Sequence, residues 1–274
     1  MAQPPDRAVK ISISQIGWNP DEDAAAYAIL RRHGVDSLEV APTRAFPGRL
    51  DQLSDEEVRR FKDSLGGLQP VAMQALLFGK PELLLFGSEA ARKELMGYLK
   101  KVVDLAAALG VGPMVFGSPK NRSRGSVSME EAMRIAVPFF HELGTYAASR
   151  STVFGMEANP PAYACDFLTN ITEVAGFVRS VDSPGCRVHW DTGAVVLNDE
   201  DALKLLPDLA PVLCHYHISQ PFLESFGECF YPHKESAAIL RDHGYTGVLS
   251  VEMKRQPDAM TALEEAVAFA CRLP

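Results

Sequence analysis

The sequence predicts an α/β chain that folds as one (β/α)8 barrel, a single domain over residues 1–274. Eight short runs of strand-forming residues alternate with longer amphipathic stretches from one end of the chain to the other. No change in composition and no long linker divides the chain, so we expect one domain. An open, doubly wound sheet is the alternative, but no Gly-x-Gly-x-x-Gly motif opens the first helix.

The individual elements follow from the same patterns. We expect strands at 9–16, 36–40, 71–76, 113–117, 152–157, 187–191, 213–218 and 247–253. We expect helices at 20–33, 54–65, 88–109, 128–149, 166–180, 199–206, 233–243 and 258–272. The clearest helix is followed by Gly110, and glycine at this place fits a left-handed cap that leads into the next strand.

Three of the segments that follow strands are long, namely 41–53, 117–127 and 219–232. In a barrel such segments lie at the carboxyl ends of the strands, where active sites form. We therefore expect the functional residues at this end.

Composition and charge narrow the function classes. The net charge of −8 disfavours nucleic acid as a partner, because phosphate backbones are repelled. The sequence has no apolar signal segment and no run of eighteen apolar residues, so we expect no membrane partner and a cytoplasmic location. The five cysteines are an odd number without a Cys-x-x-Cys pair, which is typical of reduced thiols.

Four residues able to bind a metal stand at the ends of consecutive predicted strands. Glu157 ends the fifth strand in "FGMEANP" and Asp191 ends the sixth in "HWDTGA". His217 lies near the end of the seventh in "HYHIS", and Glu252 near the end of the eighth in "SVEMK". These ends converge in a barrel, where three carboxylates would repel each other without a cation between them. The oxygen-rich set suits six-coordinate Mn²⁺, Mg²⁺ or Co²⁺.

Each of the four residues also has an ordinary structural interpretation. A strand-end glutamate is usually solvated, and Asp191 before Thr192 and Gly193 could form a simple turn. His217 alone could be a hydrogen-bonded core histidine. Their joint placement on strands five to eight favours the metal site.

These motifs give the chain a resemblance to a known family. From "VKISISQIGW" to "VLSVEM", and most specifically in "MEANP", "WDTGA", "HYHIS" and "SVEMK", the sequence resembles the xylose isomerase-like TIM barrels, the sugar phosphate isomerase/epimerase group. The resemblance implies that one divalent metal is bound by Glu157, Asp191, His217 and Glu252. Mn²⁺ is expected first, with Mg²⁺, Co²⁺ and Zn²⁺ as alternatives. It also implies that Glu157 and Glu252 are the catalytic acid/base pair.

The implied function is a metal-dependent isomerase or epimerase of a sugar or sugar derivative. The metal polarises the substrate carbonyl and acidifies the neighbouring C–H, so one glutamate can remove that proton to give a metal-stabilised cis-enediolate. Proton return by the other glutamate to the opposite face gives epimerisation, and return to the neighbouring carbon gives aldose–ketose isomerisation. We expect a small-molecule carbohydrate as the partner, and pairing into a homodimer stays open.

The sequence departs from the ketose 3-epimerases of this family at two points. Their histidine three residues after the strand-six aspartate is Ala194 here, and no arginine occurs between His217 and Arg241. A free ketohexose is therefore disfavoured as the substrate. Lyase or dehydratase chemistry on a keto-inositol or a 3-keto-glycoside is the alternative that uses the same metal site.

Two other function classes have less support. A barrel of the endonuclease IV type hydrolyses phosphodiesters, but it needs three zinc ions and extra histidines on the early strands, whose ends carry none here. A non-catalytic binding barrel would not require four candidate ligands on four strands.

Substrate contacts are predicted from position. His189 shares a strand face with Asp191 and is expected inside the barrel, either against substrate or as a satisfied core histidine. Lys254 shares the face of Glu252 and could hold an anionic or hydroxyl group. Lys120 and Arg122 follow strand four and are either rim anchors or part of a solvated basic loop.

Four further residues are expected around the pocket. Trp18 follows strand one and Phe78 follows strand three, and both could form an apolar wall for a sugar ring. Glu39 ends strand two and Gln74 lies in strand three, and both could complete a polar pocket.

Overall fold

The closed barrel predicted from the sequence is confirmed. The computed structural model describes residues 9–50, 53–227, 229 and 231–273. Within these ranges eight parallel strands pair in chain order, and the eighth pairs with the first. The strands are β1 (Lys10–Ser14), β2 (Ser37–Val40), β3 (Gln69–Met73), β4 (Pro113–Phe116), β5 (Val153–Met156), β6 (Cys186–Asp191), β7 (Leu213–Ser219) and β8 (Val248–Glu252).

Helices separate the strands along the whole chain. They are α1 (Asp23–Arg32), α2 (Pro42–Ala45), α3 (Asp55–Ser64), α4 (Glu89–Leu109), α5 (Met129–Ser149), α6 (Ile171–Val181), α7 (Thr192–Leu197), α8 (Ala202–Leu209), α9 (His233–Asp242) and α10 (Ala259–Ala270). Gly110 ends α4 with φ of 77°, so the predicted glycine cap is confirmed. In the part of the chain that the structure describes, no helix is long and apolar enough to cross a membrane.

Two short helices, α2 and α7, lie where the sequence analysis expected no helix. Helix α7 forms because the carboxylate of Asp191 caps it, with Oδ1 accepting the N–H of Ala194 at 2.6 Å. Strand β3 begins at Gln69 rather than at 71, because the Gln69 N–H donates to the Asp36 carbonyl ahead of Pro70.

The register of the last three strands places polar side chains next to each other. His189 of β6 lies opposite His215 of β7, and Asp191 lies opposite His217. Ser219 of β7 lies opposite Glu252 of β8. Because parallel strands end at the same edge, these side chains reach one end of the barrel together.

The core has an apolar shell and a polar barrel interior. Apolar side chains, among them Leu99, Phe140 and Trp190, are fully buried in the shell that joins strands and helices. Glu39 of β2 nevertheless contacts His215 and His217 of β7, which is not a neighbour of β2 in the sheet. This contact has to cross the interior of the barrel, where buried polar groups need partners.

Candidate metal centre

Four side chains from consecutive strands meet at the carboxyl end of the barrel. The ring of His217 stands at the centre, with Nδ1 3.1 Å from Glu252 Oε2 and 3.8 Å from Glu157 Oε1. The same nitrogen lies 3.9 Å from Asp191 Oδ2. Atoms that share one ion through bonds of about 2.1 Å are separated by distances of this size. The four residues predicted from the sequence are therefore brought together.

The carboxylates of this group are crowded and largely removed from water. Burial, and after it the charges of Glu157 and Glu252, raise the pKa of Asp191 to about 7. Burial also raises the pKa of Glu252, an effect that the nearby His217 offsets only in part. A cation at this point would relieve the repulsion and favour the ionised carboxylates.

Each carboxylate is held by contacts of its own. Asp191 uses Oδ1 to cap α7, and its Oδ2 accepts the Ser219 hydroxyl at 2.6 Å. Glu157 Oε2 accepts the side-chain N–H of Asn159 at 2.8 Å. A Cβ atom at Gly117 would collide with the Glu157 carboxylate, so glycine at the end of β4 leaves room for that group.

His217 has different surroundings at its two ring nitrogens. Nε2 lies 3.0 Å from both carboxylate oxygens of Glu39, whereas Nδ1 faces the other carboxylates and makes no hydrogen bond of good geometry. Burial lowers the pKa of His217, but Glu39 and Glu252 outweigh it and hold the pKa well above its ordinary value. The nitrogen that faces the site is thus the one without a hydrogen-bond partner.

Glu39, which the sequence analysis placed in a polar pocket, instead binds the histidines inside the barrel. Its side chain is fully buried, and it accepts hydrogen bonds of 3.0 Å from His215 and 2.7 Å from Ser250 in addition to those from His217. Burial alone raises the pKa of Glu39, but the charges of His217 and His215 outweigh it and hold the pKa well below its ordinary value. The sequence showed only a glutamate at the end of a strand. Its partners lie on β7 and β8, far along the chain, so the contacts could not be predicted from local spacing.

His189 lies inside the barrel, as its position in the strand predicts. Its Nε2 is 3.5 Å from Glu157 Oε1, and its ring packs edge-to-face on His217 with centroids 4.2 Å apart. Burial, and then the charges of His217 and His215, lower the pKa of His189, so the ring is neutral. Neither of its nitrogens has a hydrogen-bond partner among the described residues.

The mutual distances of the donor atoms select a different group of four residues. One atom each from Glu157, His189, Asp191 and His217 lies within 4.8 Å of all the others. This group contains His189 where the predicted set contains Glu252. Glu252 nevertheless supplies the carboxylate oxygen nearest to Nδ1 of His217. Carboxylate oxygen together with imidazole nitrogen suits Mn²⁺, Mg²⁺, Co²⁺ or Zn²⁺.

The basic residues predicted at the rim occupy three different environments. Lys120 is exposed. Lys254 is half exposed and pairs with Glu224. Arg122 was predicted to be a substrate anchor at the rim or part of a solvated loop, and both alternatives are wrong. Its side chain is fully buried, and its guanidinium donates to the backbone carbonyls of Glu157 at 2.7 Å and of Phe116 and Leu168 at 3.4 Å.

The aromatic residues around the pocket also differ from one another. Trp18 is buried, and its Nε1 donates to Asp23 at 2.7 Å. Phe78 is 79% exposed and Phe222 is 51% exposed. Phe222 has φ of 57°, an uncommon conformation for a residue other than glycine, and its N–H donates to the Tyr163 hydroxyl at 2.9 Å.

Tyr163 and Phe222 form an aromatic pair, and Tyr163 is its member close to the carboxylates. Burial and the charges of Asp191, Glu252 and Glu157 raise its pKa, so its hydroxyl lies within electrostatic reach of the candidate centre. The rings of Tyr163 and Phe222 pack edge-to-face with centroids 5.7 Å apart. Sequence analysis missed both residues, because they lie in loops without a recognisable motif.

Solved structures of other proteins share this architecture. The chain is similar to D-psicose 3-epimerase crystallised with D-fructose, at TM-score 0.79 and 17% identity over 96% of this chain and 99% of the other. It is similar to 3-keto-D-glucoside 4-epimerase YcjR from E. coli, at TM-score 0.77 and 17% identity over 97% and 99% of the two chains. It is also similar to the IolI protein with a bound zinc atom, at TM-score 0.71 and 18% identity over 96% of each chain.

At these identities the solved structures show the common fold. No curated protein sequence matches the chain significantly. The family model described as a xylose isomerase-like TIM barrel matches residues 27–273, which is most of the chain. The chain therefore belongs to the xylose isomerase-like TIM barrel family.

Proposed function

We propose that this protein is a divalent-metal-dependent isomerase or epimerase of a sugar or sugar derivative. The observation that carries the proposal is the convergence of Glu157 and Glu252 on one unpartnered nitrogen of His217. Two carboxylates from strands on different sides of the ring can serve as base and acid on the two faces of one carbon.

The proposed ligands are Glu157, Asp191, His217 and Glu252. Mn²⁺ is the first choice of metal because three of the four donors are carboxylate oxygens, and Mg²⁺, Co²⁺ and Zn²⁺ are the alternatives. When bound, such an ion polarises the substrate carbonyl and makes the adjacent C–H more acidic.

The side chains of the protein supply the remaining steps. One glutamate takes the proton from the carbon beside the carbonyl, and this carbon becomes planar. The other glutamate delivers a proton from the opposite face, which inverts the centre; delivery to the neighbouring carbon gives isomerisation. Burial raises the pKa of Glu252, which makes its carboxylate a stronger base than an exposed one.

The substrate we propose is a sugar derivative rather than a free ketohexose. Ala194 cannot hydrogen-bond a sugar hydroxyl with its side chain, and Phe222 and Phe78 expose apolar rings in segments that follow β7 and β3. A keto sugar that carries an apolar or glycosidic group suits such surroundings. His189, Lys120, Lys254 and Trp18 stay predicted substrate contacts.

Solvent deuterium exchange tests the proposal. The protein, stripped by chelation and reloaded with Mn²⁺, would be incubated in D2O with ketoses, 3-keto-glycosides and keto-inositols, and deuterium at the carbon beside the carbonyl would be measured by NMR. We expect exchange with at least one class and its loss in Glu157→Gln. Exchange without a change of configuration or carbonyl position, accompanied by loss of water, would identify the lyase or dehydratase alternative.

Glu94→Gln is the matched control, because Glu94 is exposed on α4. It should exchange at the wild-type rate. If no substrate class exchanges, or if Glu157→Gln exchanges as fast as the control, the proposed function is wrong.

A further inference from the structure

We propose that Glu39 is a positioning residue: it holds the proton of His217 on Nε2, so that the lone pair of Nδ1 faces the metal site. The inference rests on the proposed function, since it gives His217 Nδ1 the role of ligand. Glu39 would act through His217 alone, with no contact to metal or substrate.

The contacts of Glu39 define a separate layer of the barrel interior. Oε1 lies 3.0 Å from Nε2 of both His215 and His217. Oε2 lies 3.0 Å from His217 Nε2 and accepts the Ser250 hydroxyl at 2.7 Å. All four side chains are fully buried, so solvent cannot replace any of these bonds.

This layer restricts where the proton of His217 can sit. The carboxylate oxygens of Glu39 are acceptors, and the group that faces them from His217 is Nε2, which therefore carries hydrogen. A histidine binds a metal as neutral imidazole, which has one N–H, so in the metal-bound protein Nδ1 would have the free lone pair. Nδ1 is the ring nitrogen 3.1 Å from Glu252 Oε2 and without a hydrogen bond.

The same atoms also allow a different arrangement. Glu39, His215 and His217 each offer an atom within 4.8 Å of the others, which is close enough for a second metal ion. The Ser250 hydroxyl and the three 3.0 Å contacts already satisfy the carboxylate, and the layer has no exposed side chain through which an ion could enter. Hydrogen bonding therefore accounts for the layer, and a second ion becomes an outcome of the test.

Removing the hydrogen-bond partner of a metal-bound histidine lowers the metal affinity about 10–100-fold. In Glu39→Gln one of the two acceptor oxygens becomes an N–H2 donor. The amide cannot accept from all three neighbours, so the proton of His217 can move to Nδ1. We expect the dissociation constant for Zn²⁺ to rise about 10–100-fold in this variant, with kcat at saturating metal much less affected.

The experiment has two readouts on the full chain. Calorimetric titration with Zn²⁺ alone gives affinity and stoichiometry for wild type, Glu39→Gln and the control Glu94→Gln. Two-dimensional ¹⁵N NMR of the histidine rings gives the tautomer of His217 in the zinc-loaded wild type, where hydrogen on Nε2 is expected. This second measurement needs no variant, so it remains decisive if Glu39→Gln fails to fold.

The outcomes separate the two proposals. Unchanged zinc affinity in folded Glu39→Gln, or hydrogen on Nδ1 of His217 in the loaded wild type, overturns the role of Glu39 and leaves the proposed function standing. Binding of two zinc ions per wild-type chain also overturns that role and assigns Glu39 to a second site. Wild type that takes up no metal overturns the proposed function, and this inference with it.

Discussion

The two halves of the barrel are built differently. Strands β5 to β8 carry the four proposed ligands, and β7 and β8 pair in continuous register from Tyr216 opposite Leu249 to Ser219 opposite Glu252. In the other half, β3 and β4 meet at one register pair, Met73 opposite Met114. Ligand atoms have to be placed within fractions of an ångström, and each strand pair of this half is joined at three or more register positions, with one register shift between Val188 and His189 of β6. The other half, in which β3 and β4 pair at only one position, supports the site chiefly through the contact of Glu39 with His217.

The largest expected effect comes from removing a charge in the second half. Glu252→Gln keeps the shape of the side chain but cannot take up a proton, so deuterium exchange should be slowed about 10²–10⁴-fold. Asp36→Asn removes a carboxylate just before β2, at the opposite end of the barrel, and should leave the exchange rate unchanged. Similar losses in both variants would abolish the distinction between the halves.

Arg122 joins the two halves, because it extends from the loop after β4 to the carbonyl of Glu157 at the end of β5. Arg122→Met removes its buried donors and should lower the free energy of unfolding by about 2–4 kcal/mol. Urea unfolding would measure this, with Lys120→Met, an exposed neighbour in the same loop, as the control. A loss equal to that of the control would mean that Arg122 is not what holds the halves together here.

Low pH should reduce the free energy of unfolding through His233, the first residue of α9, which follows β7 in the second half. Burial lowers the pKa of His233 from its ordinary value of 6.5 to about 4. The unfolded chain therefore binds more protons between these pH values, so stability is retained above pH 6.5 and lost as the pH falls. This group should lower the free energy of unfolding by about 2–3 kcal/mol between pH 7 and pH 4.

His233→Phe should remove this part of the pH dependence, because phenylalanine can pack on Phe269 and Tyr231 without titrating. Urea unfolding at pH 7, 5.5 and 4 would compare it with wild type and with His243→Gln, a change at an exposed histidine. If the free energy of unfolding of His233→Phe still falls with pH as in wild type, other groups cause this dependence.

A smaller effect should come from the first half where it touches the site. Gly117→Ala places a methyl group against the Glu157 carboxylate and should shift that group, slowing exchange about 10–100-fold. Gly97→Ala, on α4 with no atom within 4 Å of the added carbon, is the control. Wild-type activity in Gly117→Ala would mean that the Glu157 side chain can move aside freely.

The smallest expected difference concerns backbone opening. Amides at the β3–β4 seam should exchange with solvent about tenfold faster than those between β7 and β8, because fewer ladder bonds have to break. Hydrogen exchange followed by mass spectrometry would measure this. Equal protection of the amides in both strand pairs would show that the short β3–β4 pairing does not make the backbone easier to open there.

The sequence was sufficient to predict the barrel and the approach of Glu157, Asp191 and Glu252 to His217, since both depend on local signals. Strand alternation predicted the closed sheet, and an acidic or imidazole residue at the end of each of β5 to β8 predicted the convergence. Sequence spacing also predicted that His189 points inward, because strand side chains alternate between faces.

Other features depended on contacts between distant parts of the chain. Glu39 meets His217 and Ser250 only after β1, β2, β7 and β8 have closed the barrel. Arg122 resembled a solvated residue because its neighbours in sequence are polar, whereas its partners are carbonyls of later segments. Asp191 had been given a turn and a metal site as alternatives; its Oδ1 caps α7, while its Oδ2 accepts the Ser219 hydroxyl and faces the proposed metal site.

The two carboxylate oxygens of Asp191 have different partners, and this affects how a substrate could bind. Oδ1 is engaged at the amino terminus of α7, so this carboxylate can offer the ion only Oδ2 and would be monodentate. An ion held by Glu157, Asp191, His217 and Glu252 would therefore receive one oxygen from Asp191. The fewer atoms the protein supplies, the more room is left for substrate oxygens.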